Sequence, residues 1–582
     1  MEMDYFIKNI VSLLRLKITL PEDEIRKLIE IPPDFKMGDY AFPCYSLAKT
    51  LKSSPNIIAA ELSKTLHTII NENPPESPFS KEGRREITEI KAIGPYVNFF
   101  VNKTIFTEMV LKKIHEEQNC YGSGNTGSGK TVVIDYSSPN IAKHLAVHHL
   151  RSALIGNAIY NIYKTLGYKC IGINHLGDWG TQFGQLIVAY KKWGSEDTHT
   201  SYTVTDLNNL YVKFHQEAEK NPTLEDEARE WFKKLEAGDF AAKELWQRFK
   251  DISLKEFQKI YDMLGIHFDA FIGESFYNTM VEDTVTRIKG KGLTRISEQA
   301  LIVDLEPYAM PPCLLRKKDD ATLYATRDIA AAEYRKKAYS FDKMIYVVGS
   351  EQKLHFKQVF KVLELMGYDW ANHCVHVDFG LMKFKDGKMS TRKGKVVLLE
   401  DLLIEAVERI KKIIEAKNPS LEHKENIAKD VGIGAVIFAD LSTKRNKDVI
   451  FDWDEALNFE GETGPYVQYT HARLCSILRK YGRPVTADIH FELLKENETI
   501  ILIKNLWRFP SVILKASEFY EPSLISNYLI DVCGNLNRFY NAHRVLSDDG
   551  ELTRARILLV GSTRQVIKNG LNILGMQAPE RM

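Results

Sequence analysis

The sequence predicts an α/β protein built around a parallel sheet with helical crossovers, preceded by a small α/β unit and followed by an all-α bundle. Three observations carry that expectation. From Thr131 onward, β-branched runs alternate with segments of helical apolar spacing (TVVIDYSS, HLAVHHLRSALIGNAIYNIYKTLG, KCIGINHLGD, TQFGQLIVAYKKWG), the pattern of parallel strands joined by right-handed crossovers. A glycine-rich joint, GSGNTGSGK, separates this region from what precedes it. From about residue 400 to the end the periodicity is almost wholly helical.

In chain order, residues 1–118 read as the small unit, with a helix in the opening segment, another in SPNIIAAELSKTLHTII, and strands in EITEIKAIGPYVNFFVN. Residues 119–405 form the parallel-sheet domain. A polar, largely helical stretch over about 195–298 interrupts it and reads as an insertion between the sheet's two halves. Alternation is expected to resume with the strand ALIVDL, the helix TRDIAAAEYRKKA, the strand KMIYVVGS, a helix from about Lys353 to Met366 and the strand VHVDFGLMKF. Residues 406–582 form the helical bundle.

The joint contains GNTGSGKT, which fits the phosphate-binding pattern G-x-x-x-x-G-K-[ST]. That pattern holds phosphates only where a strand feeds the loop and a helix follows it. Here EMVLKKIHEEQNCY, helical in spacing, comes before, and the strand TVVIDYSS comes after. Lys130 then opens a strand, with no helix dipole aimed at an anion, so the joint is read as a connector and not as a P-loop.

Composition excludes several classes of function. Of 582 residues 44% are hydrophobic and 27% charged, an ordinary soluble balance that suits roughly three or four domains. Seventy-eight Lys and Arg against 77 Asp and Glu give a formal charge of +1, so a nucleic-acid partner must be met by local patches. Seven scattered cysteines without a C-x-x-C argue against a disulfide framework or a cysteine-rich zinc site and fit a reducing cytoplasm. Neither a signal peptide nor a membrane span is expected.

In an open parallel sheet, ligands sit beyond the carboxyl ends of the strands. The turn DYSSPNIAKHLAVHHLRS places Asp135, Ser137 and Asn140 at such an end, with Lys143, His144, His148 and His149 expected on the first turns of the next helix, where phosphate oxygens are well received. A capped helix with solvated histidines is the alternative. His144 and His148 have the spacing of a zinc pair but no third ligand nearby, so no metal site is assigned. The second strand leads into HLGDWGTQFG, with His175, Gly177, Asp178, Trp179 and Gln182. After the last strand comes GKMSTRKGK, in which Lys388, Lys393, Lys395 and Arg392 make a cationic loop suited to closing over a polyphosphate, or simply a solvated turn.

Together and in this order, SSPNIAK, HLGDWGTQFG and KMSTRKG resemble the signatures of class I aminoacyl-tRNA synthetases, and in detail those of the arginyl-tRNA synthetase family. The stretch FDWDEALNFEGETGPYVQYTHARLCSILRK resembles the opening of that family's anticodon-binding domain, and LNILGMQAPERM its terminus. The resemblance implies a Rossmann-type catalytic domain, an N-terminal unit that contacts the tRNA elbow, and arginine–tRNA ligase activity. Arginine would attack the α-phosphate of ATP, accompanied by Mg²⁺, and the adenylate would pass to the terminal ribose of tRNA(Arg). The family usually activates arginine only with tRNA bound. The chain is expected to act as a monomer without a tightly bound cofactor.

The same resemblance assigns residues. A guanidinium offers five donors in a planar fork, so its site needs carboxylates and neutral acceptors in bidentate reach. Tyr324 and Asp328 would hold it, with Gln352, Asp135, Ser137 and Asn140 at the α-amino end. Asp328 is equally placed to cap the helix DIAAAEYRKKA. Lys143, His149, Lys388, Arg392 and Lys393 would stabilise phosphate charge, and His144, His148, Gly177, Asp178, Gln182, Met389 and Ser390 would line the ATP site. Tyr466, Gln468, Arg473, Arg538 and Arg544 are the tRNA-binding candidates. The last two belong to a mildly basic stretch, residues 536–570, where Phe539 and Tyr540 offer a stacking surface.

Two departures stand out. Where the family reads histidine, apolar, glycine, histidine, this chain has Ala146, Val147, His148 and His149. Either His144 or His148 replaces the missing imidazole, or His148 crowds the nucleotide. Thr391 stands where a second lysine is usual in class I, a role that Lys143 would take. These departures keep an inactive tRNA-binding paralogue as the alternative function.

Overall fold

The computed structural model describes residues 4–32, 35–72, 85–194, 202–318, 324–385 and 397–582. The chain divides into two compact units, one formed by Met1–Gln118, Tyr481–Trp507 and Asn535–Thr563, the other by Asn119–Lys480, Arg508–Gly534 and Arg564–Met582.

The first unit is built on a three-stranded antiparallel sheet in which Tyr96–Val101 lies between Tyr40–Pro43 and Ile87–Ile93. Helix Pro55–Glu72 buries Ile58, Leu62, Leu66 and Ile70, the i, i+4 stripe that made it legible. Asn102 caps helix Lys103–Glu117 by accepting the amides of Thr104 and Ile105. Trp507, at the end of helix Asn497–Trp507, meets Tyr40 and Phe106 edge-on at 6.0 and 5.4 Å, and Lys504 pairs with Asp39.

The second unit carries a five-stranded parallel sheet: β1 (Thr131–Asp135), β2 (Lys169–Asn174), β3 (Ala270–Phe271), β4 (Lys343–Gly349) and β5 (Cys374–Phe379), in the spatial order β5-β4-β1-β2-β3. All four pairings are parallel. The crossover helices are α1 (Leu150–Thr165), α2 (Thr181–Trp193), α6 (Glu274–Gly290), α7 (Tyr324–Tyr339) and α8 (Lys353–Leu365). Between α2 and β3 come α3 (Val204–Ala218), α4 (Thr223–Glu236) and α5 (Phe240–Leu264). Thr203 and Asp206 form a capping box on α3, Asp239 caps α5, and Gly265 ends α5 in the left-handed conformation.

The strand ALIVDL is corrected. Ala300–Val303 lies outside the parallel sheet and pairs antiparallel with both Thr294–Ser297 and Cys313–Arg316. Glu298 and Gln299 both have positive φ, 50° and 64°, which makes a two-residue hairpin turn of the kind that matches strand twist. The edge strand of the sheet is supplied by β3, two residues long.

Beyond the sheet, helices Leu399–Lys417 and Lys424–Leu441 share a core of Ile410, Ile414, Val431 and Ala435. The chain's last residues return onto helix Gly464–Tyr481, where Gln468 Nε2 donates to the Gln577 carbonyl at 2.9 Å and His471 Nδ1 lies 2.9 Å from the Pro579 carbonyl. Among the described residues no helix is long and apolar enough to cross a membrane.

The glycine-rich joint runs from helix to strand as the sequence indicated. Its amides cap a helix: Gly124 N–H donates to Thr165 O and Gly127 N–H to Leu166 O, both at 3.0 Å, at the carboxyl end of α1. A Cβ on Gly127 would fall 2.1 Å from the Tyr168 ring, so glycine is required there for packing. Lys130 is exposed. Lys130→Ala should therefore leave ATP affinity unchanged to within about twofold, as surface changes do. Gly127→Ala should lower stability by about 1–3 kcal/mol in chemical denaturation, the usual cost of overpacking.

Candidate active site

From β1 the chain moves outward to β2 and β3, then returns to place β4 on the other side of β1. This reversal puts a crevice at the carboxyl ends of β1 and β4, the standard ligand position in an open parallel sheet. Ser137 and Asn140 follow β1, Gly177 and Asp178 follow β2, and Gln352 follows β4. The signature turns thus converge at one end of the sheet.

The turn after β1 is not helical, contrary to expectation. Residues 141–146 form turns and bends, Val147–His149 is a short 3-10 turn, and α1 begins only at Leu150. Pro139 lacks an amide donor, and Ser137, Ser138 and Ala142 adopt positive φ of 72°, 50° and 61°. Such strain is held by external hydrogen bonds: Ser152 Oγ accepts the Ser137 amide at 2.9 Å, and Ser253 Oγ accepts the Ala142 amide at 2.8 Å. The zinc-pair spacing of His144 and His148 therefore has no helix beneath it.

His144 is engaged by the inserted helices. Its Nδ1 lies 2.6 Å from Glu256 and its Nε2 3.2 Å from Thr205, and the Glu256 hydrogen bond raises its pKa. His148 remains exposed, with its ring 3.9 Å from that of His149. His149 Nδ1 accepts the Ala146 amide at 3.0 Å, so the proton of the neutral ring sits on Nε2. Burial, with the charge of His148 adding, lowers its pKa to about 4, which keeps it a neutral donor at pH 7. Lys143 is exposed, its ammonium 5.7 Å above the Tyr211 ring.

The second turn packs directly against the first. Gly177 N–H donates to Pro139 O at 3.0 Å, Ile141 N–H donates to Gly177 O at 3.2 Å, and a Cβ on Gly177 would lie 1.9 Å from Asn140 Oδ1. Glycine is thus required for the two turns to touch. Asp178, expected at the ATP site, is fully buried and takes three donors from the protein: Lys250 Nζ, the Ser275 amide and the Ser275 hydroxyl, each at 2.8 Å. Its carboxylate joins the turn after β2 to α5 and to the start of α6. Gln182 sits half-buried in the first turn of α2.

Asp135 is tied into the protein through both oxygens. One oxygen pairs with the buried Arg335 guanidinium at 2.8 Å, and the other accepts the Ser138 hydroxyl at 2.9 Å. Arg335 in turn lies between the Tyr277 and Tyr346 rings, at 5.8 and 5.6 Å. A carboxylate buried at a strand end is well served by such a cation, and the Ser137 hydroxyl lies 2.7 Å from that of Tyr261.

The acids that do remain come from α6 and α7. Asp328 opens the second turn of α7, one turn after the exposed Tyr324, so it does not cap the helix, and its Oδ2 lies 2.6 Å from His355 Nε2 in the first turn of α8. Gln352 is exposed immediately before α8. Glu274, at the start of α6, was missed in the sequence because the two-residue strand before it has no readable period. Its Oε2 is buried without a hydrogen-bond partner, and its nearest cation is Arg327 at 3.6 Å. Burial pushes its pKa up to about 7, Arg327 opposes the shift, and the charges of Asp328 and Asp178 reinforce it.

The cationic loop with Lys388, Met389, Ser390, Arg392 and Lys393 lies outside the described residues. Just beyond it, Leu399 N–H donates to Leu145 O at 2.8 Å and Val147 N–H to Val397 O at 3.3 Å, so the segment that leaves the loop is paired with the first signature. Of the tRNA candidates, Arg473, Arg538 and Arg544 are exposed and Tyr466 is half-buried. Gln468 is fully buried and donates to the Asp430 and Gln577 carbonyls, and Phe539 is fully buried, so neither presents a surface to RNA.

The geometry has close counterparts in known proteins. Residues 110–453 match the tRNA synthetases class I (R) catalytic domain, 467–582 the DALR anticodon binding domain and 6–101 the arginyl tRNA synthetase N terminal domain. The chain is 51% identical over 581 residues to the arginine–tRNA ligase of Clostridium botulinum (strain Alaska E43 / Type E3), covering 100% of both chains. It is 50% identical over 578 residues to that of Halothermothrix orenii, covering 99% and 100%. The Thermus thermophilus arginyl-tRNA synthetase structure superposes with a TM-score of 0.80 at 26% identity, over 99% of each chain. Matched along its length in sequence and in fold, the chain belongs to the arginyl-tRNA synthetase family of class I tRNA synthetases.

Proposed function

We infer that the chain is an arginine–tRNA ligase that joins L-arginine to ATP as arginyl-adenylate and transfers it to the 3′ end of tRNA(Arg). The observation that carries the substrate reading is the buried Glu274 carboxylate, whose Oε2 has no hydrogen bond and whose pKa the nearby Asp328 charge helps to raise. Two acids from different helices suit a planar, always-charged guanidinium fork better than a lysine point charge. Tyr324 stands one turn from Asp328, while Asn140 and Gln352, at the ends of β1 and β4, are placed for the α-amino end.

In such an in-line displacement the protein positions the groups and stabilises charge, and no covalent nucleophile is required. His149 Nε2–H, Lys143 and exposed His148 are the phosphate donors on the first signature. Lys388, Arg392 and Lys393 supply cations from the loop that leads into the segment paired with that signature. ATP enters as its magnesium complex, the ion coordinated largely by phosphate oxygens and water. The chain is expected to work as a monomer, and seven free cysteines support a cytoplasmic setting. Arg473, Arg538 and Arg544 are the tRNA contacts we retain.

Arginine-dependent ATP–pyrophosphate exchange tests the assignment. Exchange that requires both arginine and tRNA is expected, while tRNA binding with no exchange under any condition would make the chain a binding paralogue instead. Asp328→Ala should lower kcat/KM for arginine about 10²-fold or more, in line with the 2–5 kcal/mol lost when a buried charge pair is broken, and leave KM for ATP nearly unchanged.

Glu274 adds a pH signature. Below about pH 7 its carboxyl holds a proton that an incoming guanidinium must displace, so arginine affinity should fall as pH drops through 7, with proton release on binding. Calorimetry in buffers of different ionisation enthalpy reads both effects. Glu274→Gln should abolish the proton release, and an unchanged release in that variant would assign the titration to another group.

A further inference from the structure

Helix α5 belongs to the inserted segment and contributes none of the residues assigned above to a substrate. Its contacts are nonetheless concentrated on the two signature turns. Trp246 Nε1–H donates to the Asp178 carbonyl and Lys250 Nζ to the Asp178 carboxylate, both at 2.8 Å. Ser253 Oγ accepts the Ala142 amide at 2.8 Å. The Tyr261 hydroxyl accepts from Asn174 Nδ2 at 2.9 Å and lies 2.7 Å from Ser137 Oγ, joining the carboxyl ends of β2 and β1. Spacings of four, three and eight residues place Trp246, Lys250, Ser253 and Tyr261 on one helical stripe. From the adjoining side of the helix, Glu256 meets His144 at 2.6 Å.

The stripe holds the positions that most need holding. Ser137 and Ala142 are two of the strained, positive-φ residues of the first turn, and Asp178 is a fully buried charge. Each would relax without its partner, shifting Asn140, Gly177 and the run to His149 that depend on the same turns.

We propose that helix α5 is a positioning element of the nucleotide crevice: Lys250 and Trp246 brace the turn after β2, Ser253 and Tyr261 brace the turn after β1, and one helix of the inserted segment thereby reinforces the direct backbone contact between the two signatures. The proposal rests on the ligase reading for its rate measurements but not for its binding measurement. Misplacing a site by about an ångström costs up to two orders of magnitude in rate, so single-atom deletions on this stripe should be visible in catalysis.

The test uses the full chain and four variants, Tyr261→Phe, Ser253→Ala, Lys250→Met and Lys250→Arg, compared in arginine-dependent exchange, ATP equilibrium dialysis, tRNA binding and thermal melting. Tyr261→Phe, Ser253→Ala and Lys250→Met should each lower exchange kcat roughly tenfold or more and raise both KM and Kd for ATP. Affinity for tRNA should stay within about twofold, and Lys250→Arg should recover most of the loss. ATP Kd and exchange within about twofold of the parent in all variants would overturn the proposal. So would losses of exchange and tRNA affinity that fall in parallel with the melting temperature, which mark general destabilisation. Absence of exchange in the parent chain would refute the ligase reading alone, because unchanged or weakened ATP dialysis across the variants still decides the role of α5.

Discussion

A carboxylate buried away from water must have a cation, and the crevice is organised by how its acids meet that requirement. Asp135 has Arg335, which ties the end of β1 to α7. Asp178 has Lys250, which ties the turn after β2 to α5. Among the described residues Glu274 has only Arg327 at 3.6 Å, and its Oε2 makes no hydrogen bond. Two acids thus assemble the walls of the crevice, and the third, reinforced by Asp328, is the one we propose meets the guanidinium of the substrate.

This division explains why residue type alone did not show how the acids are paired. Asp135 and Asp178 stand at strand ends where a ligand would be expected, and their partners lie far along the chain, at Arg335 and Lys250. No local spacing reveals such a pair. Asp328 was legible because the guanidinium fork calls for an acid and the family motif supplies one at that position. Glu274 was not, since a two-residue strand leaves no alternation to announce the turn after it. The strand–helix order around β1, β2, β4 and β5 could be read from period alone, whereas Ala300–Val303 has the same apolar run but turns at Glu298 and Gln299 into an antiparallel hairpin. In the helical region the apolar stripe was visible, yet which polar residues it would bury was not. Gln468 satisfies carbonyls inside the protein, and Phe539 packs inward.

The altered first signature fits the same physical picture. Histidine in place of the expected glycine would crowd a nucleotide lying on a helix backbone, but the residues here precede the helix, in a 3-10 turn where His148 is exposed. His149 keeps a defined tautomer through the Ala146 amide, and burial holds the ring neutral. The turn is therefore shaped by hydrogen bonds from Ser152 and Ser253 more than by the identity of residue 148.

The central claim is that an acid pair whose charge the protein compensates only in part selects arginine by charge as well as by shape. Calorimetric binding of L-arginine and L-citrulline to the same protein tests it most directly, because citrulline keeps the planar terminal group but exchanges a charged NH2 donor for a neutral carbonyl oxygen, which carboxylates cannot pair with. The account predicts that citrulline binds at least about a hundredfold more weakly, since charge-assisted hydrogen bonds are replaced by neutral ones beside buried acids. Affinities for the two ligands within about tenfold, roughly 1.4 kcal/mol, would contradict it.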